Sequence, residues 1–199
     1  SQIEDCKTAI AQLNVYLGRA TEARPAALAA VERDLLQRVA KLGEEELREA
    51  ARDEFGTLDT HHLESSLLFH QAVASLRLKA DDKSEATRLE RARSVFAWAM
   101  RQVWLLEQPG KPLPPSYALR MGRGSADARA GVALDALRQV GVEAALVGQA
   151  RDGQPLRAWA IGVPIGSDVF LFGHRAGRPV PAADGKGVAT LKQVRANPE

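Results

Sequence analysis

The sequence is short of the features that mark several classes of protein, beginning with cysteine. Its single cysteine, Cys6, excludes an internal disulfide. Cys6 shares a helical stripe with Ile10, Leu13 and Leu17, so we expect a buried structural thiol rather than a reactive one. No apolar run reaches the ~18 residues needed to span a bilayer, and no signal peptide is visible. The sequence therefore predicts neither a disulfide framework nor a membrane span.

An excess of one charge is also missing. The chain has 27 Lys and Arg against 25 Asp and Glu, a net charge of +2, and the two signs are mixed along it. Nucleic-acid binding usually needs massed positive charge, so we expect no nucleic-acid partner. The hydrophobic fraction of 45% is that of an ordinary globular protein, and 199 residues can hold a domain with a real core plus an appendage.

Metal and cofactor motifs are absent as well. Three histidines, at positions 61, 62 and 70, fall near one predicted helix. The position four residues after His62 is Ser66, whereas zinc sites on one helix usually have a second histidine there. Gly122-Arg-Gly-Ser precedes a helix but lacks the Lys-Ser ending of a phosphate-binding loop. We expect no metal and no cofactor.

The first half of the sequence is dominated by helical spacing of apolar residues. A polar stretch at 79–85 separates the fourth predicted helix from the fifth, and prolines at 109, 112, 114 and 115 prevent the fifth from continuing. The five predicted helices cover 3–20, 25–42, 43–56, a segment capped by Asp59 or Thr60 that ends near 76, and 85–105.

The stretch 123–148 predicts a central helix followed by a strand. Ser125 is a good N-cap residue, and Asp127 places a negative charge in the first turn, where it suits the helix dipole. Gly141 and Val142 are placed for a Schellman ending. The apolar stripe between these ends consists of Ala130, Ala133, Leu134 and Leu137.

Beyond residue 148 the pattern changes from helix to strand. Short apolar segments near 144–147, 157–164 and 169–173 are separated by turn signals at Asp152-Gly153 and 166–168. They predict an antiparallel sheet of about three strands packed on the central helix. The fold class is therefore α+β, with a helical N-terminal part at residues 1–80.

This order of elements resembles the transglutaminase-like domain of the papain-like superfamily. The segments that carry the resemblance are ERARSVFAWAMRQV, GRGSADARAGVALDALRQVGVEAALVG, RAWAIGV and VFLFGHRAGRPVP, and they fall within 85–190. The chain also resembles the N-terminal part of large planctomycete proteins with such domains. That resemblance implies that the helical part belongs with the domain. The final segment TLKQVRANPE predicts the opening of another helix, so we expect 190–199 to begin a continuation in a longer protein.

The resemblance implies a Cys-His-Asp triad, and this sequence departs from it at all three positions. The cysteine position falls on Ala126, the histidine position on Arg157 and the aspartate position on Gly173. A methyl group cannot attack a carbonyl, and a guanidinium cannot act as a general base near neutrality. We therefore expect a non-catalytic binding or scaffold domain, whose groove is lined by these residues with Trp159 and Arg123. The expected ligand is a peptide or protein segment, including the rest of its own chain.

An alternative reading keeps catalysis. Ser125 is the only hydroxyl at the start of the central helix, and His174 is the only histidine near the strand ends. A Ser125/His174 pair would make the protein a divergent hydrolase or acyltransferase. The competing reading is that Ser125 is an N-cap and His174 a loop residue.

Overall fold

The computed structural model describes most of the chain and divides it into two compact units, Ser1–Ser65 and Ser66–Glu199. The described residues are 2–19, 34, 37–38, 43–50, 52, 54–78, 84–106, 113–151, 154–185 and 187–196.

The first unit contains helix α1 (Gln2–Arg19), helix α2 (Glu44–Ala50) and the beginning of helix α3 (Thr57–Ala74). All three were predicted by helical spacing, but α2 is shorter than the predicted 43–56, since it ends at Ala50 and residues 52 and 54–56 are not helical. Cys6 is 1% exposed and lies in the apolar interior, as expected. The helix predicted over 25–42 lies outside the described residues, apart from 34 and 37–38.

The start of α3 differs from the prediction by one turn. Asp59 is inside the first turn of α3, and its carboxylate accepts the backbone N–H of Gly56 at 2.7 Å. A side chain at the third helical position that reaches back to the cap residue is half of a capping box. Asp59 therefore fixes this helix start from within the helix, rather than from the cap position.

The second unit is α+β, which confirms the predicted fold class. It opens with the last part of α3 and continues through α4 (Glu85–Gln102), β1 (Trp104–Leu105), α5 (Pro115–Met121), β2 (Arg123–Gly124), α6 (Ala126–Gln139), β3 (Ala145–Arg151), β4 (Gln154–Ile165), β5 (Asp168–Gly173), β6 (Arg178–Pro179) and α7 (Leu191–Ala196).

Four antiparallel strands form the main sheet, in the order β3-β4-β5-β6. The three predicted strands are present, and the short β6 was not predicted because two residues carry no periodicity. Strands β4 and β5 pair without a register shift, with Ile161 opposite Phe172. Together α4 and α6 provide the helical side of a core that includes Val95, Phe96, Ala133, Leu137, Ile161 and Phe172.

The ends of α6 follow the predicted caps. The Ser125 hydroxyl oxygen accepts the N–H of Ala128 at 3.2 Å. At the other end, Gly141 has a φ of 66°, and the N–H of Val142 donates to the carbonyl of Leu137 at 3.0 Å. That 6→1 hydrogen bond across a left-handed glycine is the Schellman ending, so both ends of the central helix are set by local sequence.

Two features between α4 and α6 were not predicted. The expected fifth helix stops three residues early, because Val103 is extended and leads into β1. There Trp104 pairs in parallel with Arg123 of β2. The proline-rich loop also contains α5, in which Pro114 is the N-cap and Pro115 the first helical residue.

Among the described residues no helix has the length and hydropathy to cross a membrane.

Candidate functional site

The start of α6 is where the resemblance places a nucleophile, and its geometry is tightly defined. Gly122 ends α5 with a φ of 64°, and β2 then leads directly to Ser125. The first residue of α6 is Ala126, which is 6% exposed. A helix start carries partial positive charge and could lower the pKa of a thiol, but the side chain there is a methyl group.

The other two positions lie at one end of the sheet. Gly173 is the last residue of β5 and pairs with Arg178 of β6. Arg157 lies in the first part of β4, opposite Gln149, and its side chain is exposed. Because β4 and β5 are antiparallel, the beginning of β4 and the end of β5 lie at the same end of the sheet. Arg157 and Gly173 are therefore on neighbouring strands at that end.

Trp159 lies between them in a β-bulge. Val147 pairs with Ala160, and the next residue of β3, Gly148, pairs with Ala158, so Trp159 is the extra residue of β4. An extra residue breaks the alternation of side chains and re-aims those that follow it. Because of the bulge, the side chain of Arg157 does not follow the alternation that the core-facing residues further along β4 obey.

Arg129, which was not predicted as a site residue, joins the first turns of α6 to the turn after β5. It is only 7% exposed, and its Nη2 donates to the carbonyl of Met100 at 3.0 Å. The guanidinium lies over Gly177, where an added Cβ would be 3.1 Å from Nη2. Met100 is in the last turn of α4, whose free carbonyls favour a cation. Arg129 therefore ties α4, α6 and the turn after β5 together.

The guanidinium of Arg129 is buried with one of its donors unpaired. Burial lowers its pKa below the ordinary value for arginine, and its Nε has no hydrogen-bond partner in the described part of the chain. The burial of Arg129 could not be predicted from the sequence, because its hydrogen-bond partner, the carbonyl of Met100, lies 29 residues earlier in the chain.

His174 follows β5 directly and is also buried. It is 1% exposed, and its Nδ1 has no hydrogen-bond partner among the described residues. Burial lowers its pKa below the ordinary 6.5; the charge of Asp127 acts in the opposite direction, whereas Arg175 and Arg129 lower it further. The approach of the Arg129 guanidinium to Gly177 likewise places the first turns of α6 near the turn after β5.

The burial of His174 predicts a loss of stability in mild acid. Because the unfolded chain takes up the proton more readily than the folded one, this contribution is complete above about pH 6.5 and falls as the pH drops below it. The slope can reach about 1.4 kcal/mol per pH unit for one group. Urea denaturation between pH 7.5 and 5 should show the decline, and His174→Gln should flatten it. An equal slope in both proteins would contradict the assignment.

Ser125 and His174, the alternative catalytic pair, are not joined by a hydrogen bond among the described residues. The Ser125 oxygen accepts the N–H of Ala128 as an N-cap, while Nδ1 of His174 has no partner. The other histidines lie on α3, where His61 is exposed and 3.8 Å from Glu64. Within the described part of the chain, no three His, Cys, Asp or Glu side chains gather as metal ligands would.

Comparison with known proteins gives one match. A family model described as the transglutaminase-like superfamily matches residues 76–166, a little under half of the chain. Searches of curated proteins and of solved structures give no match. The matched segment begins two residues after α3 ends and runs through β4, so it includes Ala126 and Arg157, and Gly173 follows it by a few residues. A transglutaminase-like domain is therefore present at residues 76–166.

Proposed function

We propose that this transglutaminase-like domain is non-catalytic and acts as a binding or scaffold module for a peptide or protein segment. The observation that carries the proposal is Ala126 at the first position of α6. The helix start retains its cap and its dipole, while the side chain at the nucleophile position has no reactive atom.

The surrounding residues support the same conclusion. Arg157 remains a cation near neutrality and cannot accept a proton as a general base. Gly173 has no side chain with which to orient a base. His174 is buried without a partner for Nδ1, so in this arrangement it activates no hydroxyl. An exposed guanidinium at Arg157 instead suits recognition of a carboxylate, which it can bind with two parallel hydrogen bonds.

The test is an activity assay on the wild-type chain. Its substrates are a glutamine peptide with a primary amine for acyl transfer, and peptide and ester substrates for hydrolysis. We expect no turnover above the blank for the wild type, Ser125→Ala or His174→Gln. Turnover in the wild type that both substitutions abolish would overturn the proposal in favour of a hydrolase or acyltransferase that uses Ser125 and His174.

A cysteine placed at the helix start provides the matched control. In a Cys6→Ala background, Ala126→Cys has a single thiol at the first position of α6, and its alkylation rate is followed against pH. We expect a midpoint below the ordinary thiol pKa of about 8.5, because the helix dipole favours the thiolate. That result would mean that the position can activate a nucleophile and that catalysis is absent because the natural side chain, alanine, has no reactive group.

A further inference from the structure

Four large apolar side chains are exposed beside the start of α6. Trp104 is 77% exposed, Tyr117 50%, Met121 43% and Leu106 41%. We call these four residues the Trp104 patch. Single exposed apolar residues are ordinary on protein surfaces, whereas a contiguous group of them marks an interaction site.

Backbone pairing holds the Trp104 patch together. The N–H of Trp104 donates to the carbonyl of Gly122 at 2.8 Å, and the N–H of Leu106 donates to that of Gly124 at 2.9 Å. Tyr117 and Met121 are four residues apart on α5 and so lie on one face of it. Met121 directly precedes Gly122, so the patch lies beside the turn that leads into α6.

Among the described residues, the elements that form this patch carry charges of one sign. Arg123 is exposed and is the strand partner of Trp104, and Arg101 is exposed in the last turn of α4. The elements β1, α5 and β2 contain no Asp or Glu, and the next acidic residue along the described chain is Asp127 in α6. The surface therefore combines apolar anchors with a cationic rim.

We propose that the Trp104 patch binds an acidic peptide segment with apolar anchor residues, an inference that rests on the proposed binding function and specifies its ligand. Trp, Tyr, Met and Arg are the residues enriched at protein interfaces, and Trp, Tyr and Arg provide most hot spots. The aromatic rings of Trp104 and Tyr117 offer wide apolar faces with little side-chain entropy to lose. The planar guanidinium of Arg123 can bind a carboxylate with two hydrogen bonds.

The direct test uses a dye-labelled synthetic peptide, EDFLDE, and measures its binding to the wild-type chain by fluorescence anisotropy. KKFLKK reverses the charge of this peptide and EDSSDE removes its apolar anchors. We expect EDFLDE to bind at least tenfold more tightly than either control, and its affinity to fall as salt is raised, because the rim charges are exposed.

Two substitutions connect the binding to the patch. Trp104→Ser and Arg123→Glu should each weaken EDFLDE binding at least tenfold, about 1.4 kcal/mol. Leu146→Ser and Arg138→Glu are the matched controls; Leu146 is 48% exposed on β3 and Arg138 is exposed in the last turn of α6. They should leave the affinity unchanged. Circular dichroism checks that each variant is folded.

The outcomes separate this inference from the proposed function. Equal binding of EDFLDE and KKFLKK, equal binding of EDFLDE and EDSSDE, or binding that Trp104→Ser leaves intact would overturn the acidic-peptide inference and leave the non-catalytic proposal standing. Turnover of an acyl substrate, with patch-dependent binding of EDFLDE, would overturn the non-catalytic proposal and retain the peptide site.

Discussion

Replacing Phe172 by alanine is expected to lower the free energy of unfolding of the second unit by about 3–5 kcal/mol, the usual cost of removing a buried phenyl ring. Phe172 is 1% exposed on β5, and its ring centroid lies 5.1 Å from that of Phe96 on α4. The loss combines the transfer of the ring from water with a cavity that the sheet and helix can only partly close. Urea denaturation followed by circular dichroism measures it.

A double-mutant cycle with Phe96→Ala isolates the contact between the rings. The tilted pair, at 47° between planes, should contribute about 0.5–1.5 kcal/mol beyond the burial of each ring. Phe170→Ala, at a half-buried position two residues earlier on β5, is the matched control and should cost less. A loss below about 1 kcal/mol for Phe172→Ala, or no coupling with Phe96→Ala, would mean that α4 and β5 do not meet at these rings.

Those features of the fold that depend on local signals could be predicted from the sequence. The caps of α6 are the clearest case, because Ser125 needs only Ala128 three residues later, and Gly141 needs only the carbonyls of the preceding turn. The amphipathic stripes of α1, α4 and α6 work in the same way, since their period of 3.6 is visible within one segment.

Features that depend on distant partners could not be predicted. The extended conformation of Val103 and Trp104 arises from pairing with Arg123, which is nineteen residues further along the chain than Trp104. Their own spacing favours a continuing helix, and tertiary pairing overrides it. Helix α5 was hidden for another reason: prolines forbid a helix interior but suit its first position, and Pro115 is there.

The candidate site shows the same division. Counting from a family motif predicts Ala126, Arg157 and Gly173 as the three site positions, but it cannot say which polar residues of this region are buried. Arg129 and His174 have ordinary sequence surroundings, and their burial results from the packing of α4, α6 and the turn after β5. Buried polar groups of this kind can be identified only from the three-dimensional packing of the helices against the sheet.

Gly124→Val is expected to destabilise the second unit by about 3 kcal/mol, because three elements converge on this glycine. A Cβ added there would lie 2.9 Å from the Cβ of Ala128, 3.5 Å from the Cβ of Ala118 and 3.6 Å from Cγ1 of Val103. Two of these atoms are fixed to helix backbones and cannot rotate away. Overpacking at such a position usually costs about 1–3 kcal/mol, and the branched valine places it at the upper end.

The same substitution should also weaken peptide binding. To make room, β2 would have to move away from α6. Strand β2 contains Arg123, the strand partner of Trp104, and the carbonyl of Gly124, which accepts the N–H of Leu106. Urea denaturation and EDFLDE anisotropy, measured on the folded fraction, report the two effects. Gly18→Val is the matched control, since nothing lies within 4 Å of a Cβ built at Gly18. If Gly124→Val unfolds at the wild-type urea concentration, the close approach of α5 and α6 at this glycine is wrong, and with it the placement of the patch beside the start of α6.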